Sequence, residues 1–130
     1  MIKIIDIGFG NIASLHYSLL SINLNNKIIN SPEEIIPEDK IILPGVGSIR
    51  NYMYGLRHKG FEKKIIDHFN RNKFLLGICI GLHALSKYSE EDGGIRCLNI
   101  LDTKVIKMKE GKNNGWINKN NKKNSFFKRK

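Results

Sequence analysis

The chain alternates short apolar runs with segments whose apolar residues recur at the spacing of a helix. The apolar runs predict β-strands at residues 2–6, 27–30, 41–43 and 74–78. The helical spacing predicts a first helix that Asn11 caps, with Ile12, Leu15, Leu19 and Ile22 on one face, and further helices at 48–56, 61–69 and 80–88. This order of elements is typical of an α/β fold.

The fold class follows from how the strands and helices alternate. We expect an open, mostly parallel sheet with flanking helices. The run at 74–78 is apolar throughout, which favours an interior parallel strand covered on both faces. After the acidic turn at 89–94, the segments 98–101 and 104–108 alternate in polarity, which indicates a hairpin or a sheet edge.

Three glycine-bearing turns follow predicted strands, at residues 8–10, 44–47 and 77–81. In an open parallel sheet, all three lie at the carboxyl ends of the strands, where ligands bind. The first turn, with Gly8, Gly10 and Ala13, also fits the dinucleotide fingerprint. That fingerprint requires an acidic residue about twenty positions later, where this chain has Asn30. The sequence therefore predicts no cofactor.

Cys79 lies between Gly77 and Gly81, where a predicted strand ends and a helix begins. Such a turn pushes a nucleophile out of the sheet, and its glycines allow strained backbone and close approach of neighbouring chain. The helix N-terminus then favours the thiolate and supplies amides. The alternative is a small buried cysteine, since free cysteine is among the most buried residue types.

The turn at 44–47 favours the interpretation of Cys79 as a nucleophile. Its backbone would face Cys79 and offer N–H groups to the oxyanion that forms when the thiol attacks a carbonyl. Pro44-Gly45-Val46-Gly47 could otherwise serve only to turn the chain. Because the two turns occur together, we favour a functional site over a purely structural turn.

The basic charge is confined to one end of the chain. The 130 residues carry a net charge of +10, yet residues 1–103 hold 12 Lys and Arg against 11 Asp and Glu. Residues 104–130 hold 10 basic residues and Glu110 alone. The segment 110–130 is rich in lysine and asparagine and is expected to be a poorly ordered tail. A nucleic-acid role for it lacks an interleaved aromatic platform and is not favoured.

The cysteine count and the start of the chain bear on the compartment. Cys79 and Cys97 form neither a metal pair nor a disulfide framework. Met1 leads directly into a strand-like segment, with no leader peptide and no apolar run that could span a bilayer. We therefore expect a cytoplasmic protein.

Four motifs together carry a resemblance to a known family. They are residues 6–11 (Asp-Ile-Gly-Phe-Gly-Asn), 43–47 (Leu-Pro-Gly-Val-Gly), 77–81 (Gly-Ile-Cys-Ile-Gly) and 89–94 (Ser-Glu-Glu-Asp-Gly-Gly). In order and spacing this chain resembles the class I (triad) glutamine amidotransferases, in particular the glutaminase subunits of imidazole glycerol phosphate synthase. The resemblance covers residues 1–109, which are expected to be part of such a domain.

The resemblance implies a role for each of the matched positions. Cys79 would attack the side-chain amide of glutamine and release ammonia through a glutamyl thioester, without a metal or cofactor. Gly45, Val46, Gly47 and Ile80 would bind the oxyanion or the substrate. The ammonia would pass to a (β/α)₈-barrel cyclase subunit in histidine biosynthesis. Asn11 and Trp116 are the expected contacts with that partner.

Two departures from the family pattern limit these expectations. Four residues after Cys79 the family usually has glutamine, whereas this chain has His83. His83 is expected to be a surface or substrate-contacting residue, and a replacement base is the less favoured alternative. His16, His58 and His68 match no motif. Beyond residue 109 the family continues for about half a domain and supplies a catalytic histidine and glutamate that have no counterpart here.

The sequence therefore looks like a truncated or frameshifted copy with impaired turnover. Two other functions stay open. One is an amidotransferase subunit that serves amidation of a surface-polysaccharide sugar, because such subunits share the motifs. The other is a non-catalytic remnant or interaction module.

Overall fold

A computed structural model describes residues 1–108 and 115–120. Four parallel strands form the first sheet, in the order β2-β1-β3-β4. They are β1 (Ile2–Ile5), β2 (Asn26–Ile29), β3 (Lys40–Leu43) and β4 (Leu75–Gly77). The helices are α1 (Ile12–Ser21), α2 (Ile49–His58), α3 (Phe61–Asn70) and α4 (Ile80–Ala84). The predicted open, mostly parallel sheet with flanking helices is confirmed.

A second sheet lies at the carboxyl-terminal end of the described chain. Its order is β6-β5-β7-β8, and only the pair β5 and β7 is parallel. The strands are β5 (Tyr88–Ser89), β6 (Ile95–Arg96), β7 (Thr103–Lys107) and β8 (Trp116–Asn120). The strand expected at 104–108 is therefore present as β7, whereas 98–101 is not a strand.

Helix caps follow the sequence signals. The side chain of Asn11 accepts a hydrogen bond from Ser14 N, and that of Ser48 accepts one from Asn51 N. Gly60 adopts a left-handed conformation between α2 and α3, which lets the two helices follow each other directly.

The core lies between the first sheet and the helices α2 and α3. Its fully buried side chains include Ile5, Ile41, Leu43, Tyr52, Leu56, Phe61 and Ile65. Each such side chain contributes about 1.5–3 kcal/mol by leaving water. This packing holds the carboxyl ends of β1 and β3 in place for the turns that follow them.

Strand β4 is not the interior strand that its apolar run predicts. It is an edge strand of the described sheet. The side chains of Phe74, Leu76 and Ile78 are 52%, 41% and 39% exposed. Leu76 pairs with Ile42 of β3, which is 4% exposed. This face of the sheet is therefore buried at β3 and exposed at β4. A continuous apolar run indicates that both faces of a strand are suited to burial. It does not show which segment, if any, covers them. We call Phe74, Leu76 and Ile78 the uncovered face.

The uncovered face predicts poor solubility of the isolated chain. A Leu76→Lys substitution should raise the soluble fraction and lower self-association, because it places a charge at the centre of this face on a side chain that is already 41% exposed. Ile36→Lys is the control, since Ile36 is an exposed apolar side chain outside the uncovered face. Analytical ultracentrifugation measures the effect. A wild-type chain that stays monomeric at high concentration would refute it.

Helix α4 ends at Ala84 rather than continuing to Tyr88 as predicted. The segment after β6 explains the early end. Leu98 N donates to Ala84 O, and Ile100 N and Leu101 N donate to Leu85 O. These bonds satisfy the last carbonyls of the helix from outside, so the chain can turn into β5.

Part of the expected tail is paired. β8 lies antiparallel to β7 with Trp116 opposite Lys107, although the sequence placed residues 110–130 outside the domain. The rest of that segment lies outside the described residues, and its low order stays a prediction. None of the helices in the described ranges is long and apolar enough to cross a membrane.

Asp39 and His68 are two buried ionisable side chains. Asp39 is 2% exposed and lies 3.3 Å from the Met1 ammonium and 3.4 Å from Lys3 Nζ. Burial opposes its ionisation, but the hydrogen bond from Ile36 N and these cations hold its pKa below the usual range. His68 is 4% exposed, and burial lowers its pKa although the backbone of Phe74 and Asp39 acts against this.

We expect acid to weaken the fold through His68. Its pKa is lower in the folded chain than the ordinary value of about 6.5, so the unfolded chain binds the extra proton first as pH falls below that value. The free energy of unfolding should keep its full value above about pH 6.5 and decrease below that pH. Thermal melts from pH 7 to 5 should show this loss, and His68→Gln should flatten it. The Asp39 carboxylate affects stability in a separate pH range, below its ordinary pKa of about 4.

Candidate functional site

Three turns meet at the carboxyl ends of β1, β3 and β4. The Cβ that a side chain at Gly10 would have lies 3.3 Å from Gly45 Cα. Ile78 N donates to Leu43 O at 2.9 Å, and Ile80 N donates to Gly45 O at 3.2 Å. The turns that the sequence singles out are therefore in direct contact.

Cys79 has the backbone of a nucleophile turn. Its φ is 55° and its ψ is −116°, it directly precedes α4, and its side chain is exposed. A positive φ at a residue other than glycine costs about 1–3 kcal/mol, which the surrounding structure must offset. Strain of this kind is concentrated at functional sites, so the geometry supports the predicted chemical role.

The flanking glycines are required by close backbone packing. A Cβ on Gly81 would lie 1.7 Å from Leu43 O, and one on Gly77 would lie 2.6 Å from Gly81 O. Helix α4 therefore begins directly against the end of β3. This contact holds Cys79 beside the turn at 44–47.

The second cysteine is a poor nucleophile. Cys97 is 6% exposed, and burial raises the pKa of its thiol. A raised thiol pKa reduces the reactive thiolate at neutral pH. Of the two thiols, Cys79 is the one that a substrate can reach.

The expected oxyanion donors are not equivalent. The N–H of Ile80 is used by Gly45 O, whereas Val46 N and Gly47 N have no hydrogen-bond partner in the described part of the chain. Val46 is exposed, and Gly47 has a φ of +100°. An oxyanion at Cys79 can use Ile80 N only if the Gly45 carbonyl turns away, and the role of Ile80 as an oxyanion donor stays a prediction.

Tyr52 supports the turn at 44–47 from the core. Its hydroxyl donates to Pro44 O at 2.8 Å, and a Cβ on Gly45 would lie 2.4 Å from its ring. The side chain is fully buried, which strongly raises its pKa and keeps the phenol neutral as a donor. Sequence reasoning missed Tyr52, although its place on the buried stripe of α2 was a signal.

Tyr52→Phe should destabilise the fold by about 1–3 kcal/mol, because Pro44 O is left without its buried donor. Tyr54→Phe is the matched control, since Tyr54 is on the same helix but 67% exposed. Urea denaturation of both variants measures the difference. Equal stability of the two variants would show that the turn does not depend on this hydrogen bond.

His83 is partly buried and has an acidic partner. Its Nδ1 lies 2.8 Å from Glu91 Oε1. Glu91 is 7% exposed, and its carboxylate also accepts from Ser89 Oγ at 3.0 Å. His83 is therefore not a free surface residue, and the sequence did not predict this pairing.

The acidic turn after β5 is tied to the start of α2. Ser48 Oγ donates to Asp92 Oδ2 at 2.7 Å, and Arg50 Nη2 donates to Asp92 O and Gly94 O at 3.0 and 2.8 Å. The Ser48 hydroxyl is the main reason why the pKa of Asp92 is lowered. These bonds fix the turn that carries Glu91.

Asn11 and Trp116 lie apart from these contacts. The Asn11 side chain caps α1, and Trp116 begins β8 and is 39% exposed. No hydrogen bond or ring contact among the described residues joins Trp116 to the turns around Cys79. Within residues 1–108 and 115–120, no group of His, Cys, Asp and Glu could hold a metal ion.

Comparisons with known proteins agree on one family. The family model described as a CobB/CobQ-like glutamine amidotransferase domain matches residues 8–126. A relative named imidazole glycerol phosphate synthase subunit HisH, from Dehalococcoides mccartyi, is 38% identical over 111 residues, which are 85% of this chain and 54% of the relative. The subunit of the same name from Bacillus licheniformis is 39% identical over 110 residues, 85% of this chain and 52% of the relative.

The solved structures support the fold. A crystal structure of a glutamine amidotransferase matches with a TM-score of 0.68 and 19% identity, over 82% of this chain and 56% of that chain. A putative peptidase E from Listeria monocytogenes matches with a TM-score of 0.62 and 15% identity, over 78% and 62%. The chain spans about half the length of the curated relatives that it matches.

Proposed function

The chain belongs to the glutamine amidotransferases, and from that premise we propose that it is the nucleophile-bearing part of a glutaminase, with Cys79 as nucleophile. The supporting observation is the Cys79 turn itself, which combines an exposed thiol, a positive φ and close packing against Leu43. Glutamine is the proposed substrate, and no cofactor is needed for the chemistry.

The proposed reaction proceeds in two steps. The thiolate of Cys79 attacks the side-chain amide carbon of glutamine, and the carbonyl oxygen becomes an oxyanion that Val46 N–H and Gly47 N–H can bind. Collapse of this intermediate breaks the C–N bond, and the nitrogen leaves as ammonia after gaining a proton. Water then cleaves the thioester and yields glutamate.

We infer the destination of the ammonia from the relatives. Their shared name assigns them to imidazole glycerol phosphate synthase. We therefore propose a cyclase subunit as heterodimer partner, histidine biosynthesis as the pathway, the cytoplasm as the location, and Asn11 and Trp116 as partner contacts.

The test combines the purified chain with the cyclase subunit encoded in the same genome. Glutamine-dependent formation of imidazole glycerol phosphate, at a rate above that of either protein alone, would support the proposal. Ammonia-dependent product is the control for an active cyclase. Product that forms from ammonia but never from glutamine would contradict it and favour a non-catalytic module.

The family match supports a second candidate. The model that matches residues 8–126 describes CobB/CobQ-like domains and is not specific to histidine biosynthesis. The same glutaminase chemistry could supply ammonia to another synthase, such as one that amidates a surface-polysaccharide sugar. Glutaminase activity that a sugar-amidating synthase stimulates and the cyclase does not would favour this candidate.

A further inference from the structure

We propose that Asp92 is a positioning residue for the turn at 44–47, which we call the oxyanion turn. From the acidic turn after β5, the Asp92 carboxylate fixes the first residues of α2 and, through them, the N–H groups of Val46 and Gly47. The inference rests on the proposed role of Cys79. It gives the acidic turn a task in binding the oxyanion.

The oxyanion turn is held more firmly at its beginning than at its end. The Tyr52 hydroxyl anchors the beginning through its hydrogen bond to Pro44 O. By contrast, the Val46 side chain is 55% exposed, and a Cβ on Gly47 would meet nothing within 4 Å apart from its chain neighbours. Gly47 also has a φ of +100°, and glycine moves between backbone conformations more freely than other residues. The direction of the two N–H groups therefore depends on how the next residue, Ser48, is held.

Ser48 and Asp92 together cap the start of α2. Ser48 Oγ donates to Asp92 Oδ2 at 2.7 Å and accepts from Asn51 N at 3.3 Å. Because a hydroxyl has one hydrogen, its donation to Asp92 leaves a lone pair for Asn51 N–H. Asp92 Oδ2 also accepts from Arg50 N at 3.3 Å. Two N–H groups of the first turn, which a helix leaves without internal partners, are therefore satisfied through this carboxylate.

The side chain of Arg50 holds the backbone of the acidic turn in place. Arg50 Nε and Nη2 donate to Asp92 O at 3.2 and 3.0 Å, and Nη2 also donates to Gly94 O. Asp92 has a φ of 52° and a ψ of 34°, a left-handed conformation that aspartate adopts more readily than most residues. Ser48 and Asp92 are 44 residues apart in the chain. These bonds therefore join the oxyanion turn and the acidic turn into one unit through the start of α2.

These contacts predict which reactions of Cys79 depend on Asp92. Loss of the carboxylate frees the Ser48 hydroxyl and loosens the chain after Gly47, so the N–H groups of the oxyanion turn lose their fixed direction. Preorganised donors of this kind stabilise an oxyanion only when they point at its position. The thiol itself is held by the separate packing of α4 against β3. Reactions through an oxyanion should therefore slow, and direct displacement by sulfur should not.

Two thiol reagents separate these reactions in a Cys97→Ser background. The Cys79 thiolate attacks a chloroketone analogue of glutamine at the carbonyl carbon, and the resulting oxyanion needs donors before chloride leaves. Iodoacetamide instead loses iodide by direct displacement, without an oxyanion. Asp92→Ala should slow labelling by the chloroketone about tenfold and change the iodoacetamide rate less than about twofold. Mass spectrometry measures both rates.

Matched variants show whether the effect belongs to this contact. Asp92→Asn keeps an acceptor for Ser48 Oγ and should recover part of the chloroketone rate. Glu90→Gln is the control, because Glu90 is the neighbouring acidic residue but pairs with Lys104. Ser48→Ala should resemble Asp92→Ala, and the double variant should be no slower than the slower single variant, since both remove one interaction.

Equal slowing with both reagents, or no slowing in a folded Asp92 variant, would overturn the proposal. If Asp92→Ala does not fold, Asp92→Asn and Ser48→Ala carry the same comparison. A wild-type chain that iodoacetamide labels and the chloroketone does not would defeat the proposed glutaminase. Amide hydrogen exchange then decides the positioning role of Asp92. Arg50 N and Asn51 N should exchange at least about tenfold faster in Asp92→Ala, with α3 unchanged, and equal exchange would rule that role out.

Discussion

Cys79→Ser should abolish covalent labelling by a diazoketone analogue of glutamine and lower any glutaminase activity at least about 10³-fold. Cys79 is the exposed thiol on the strained turn, and a serine hydroxyl is a far weaker nucleophile unless a base is precisely aligned with it. Peptide mass spectrometry of the labelled chain measures the first effect, and glutamate release with the partner measures the second.

The matched control is Cys97→Ser. Cys97 is buried, and its thiol pKa is raised, so this variant should keep the label on Cys79 in full. Labelling of Cys97 at the level of Cys79, or undiminished labelling of the Cys79→Ser chain, would contradict a selective nucleophile at this turn.

Gly81→Ala should destabilise the fold by at least about 3 kcal/mol or prevent folding, because the new Cβ would lie 1.7 Å from Leu43 O. The obstacle is backbone of a central strand and cannot move aside as a side chain could. Denaturation monitored by circular dichroism measures the loss.

Gly55→Ala separates this clash from the general effect of adding a methyl group within a helix. Gly55 lies inside α2, where the atoms nearest the new Cβ belong to the Ile7 side chain, whose Cδ1 at 3.3 Å must shift by a few tenths of an ångström. Alanine favours a helix over glycine by up to about 1 kcal/mol, so this variant should change stability little. Equal losses in the two variants would show that the contact between α4 and β3 is not the reason for Gly81.

The elements of the fold that the sequence predicts well depend on local patterns. The Cys79 turn follows from a strand, two glycines and a helix start within a few residues. The contact between this turn and residues 44–47 is predictable because parallel strands end at the same edge of a sheet. The family motifs include these same turns and therefore support the same prediction.

The elements that the sequence does not predict depend on neighbours distant along the chain. Helix α4 ends early because Leu98, Ile100 and Leu101 satisfy its last carbonyls, which periodicity within 80–88 cannot reveal. The pairing of His83 with Glu91 needs the chain to reverse between them, so neither residue's type alone predicts it. The position of β4 at the end of its sheet depends on what covers it, which an apolar run does not specify.

The uncovered face has a consequence for the life of this chain in a cell. Exposed apolar side chains on an open strand are what chaperones and proteases bind, and marginal chains are removed continuously. We therefore expect a chain in which Phe74, Leu76 and Ile78 stay exposed to be a substrate of chaperones and proteases.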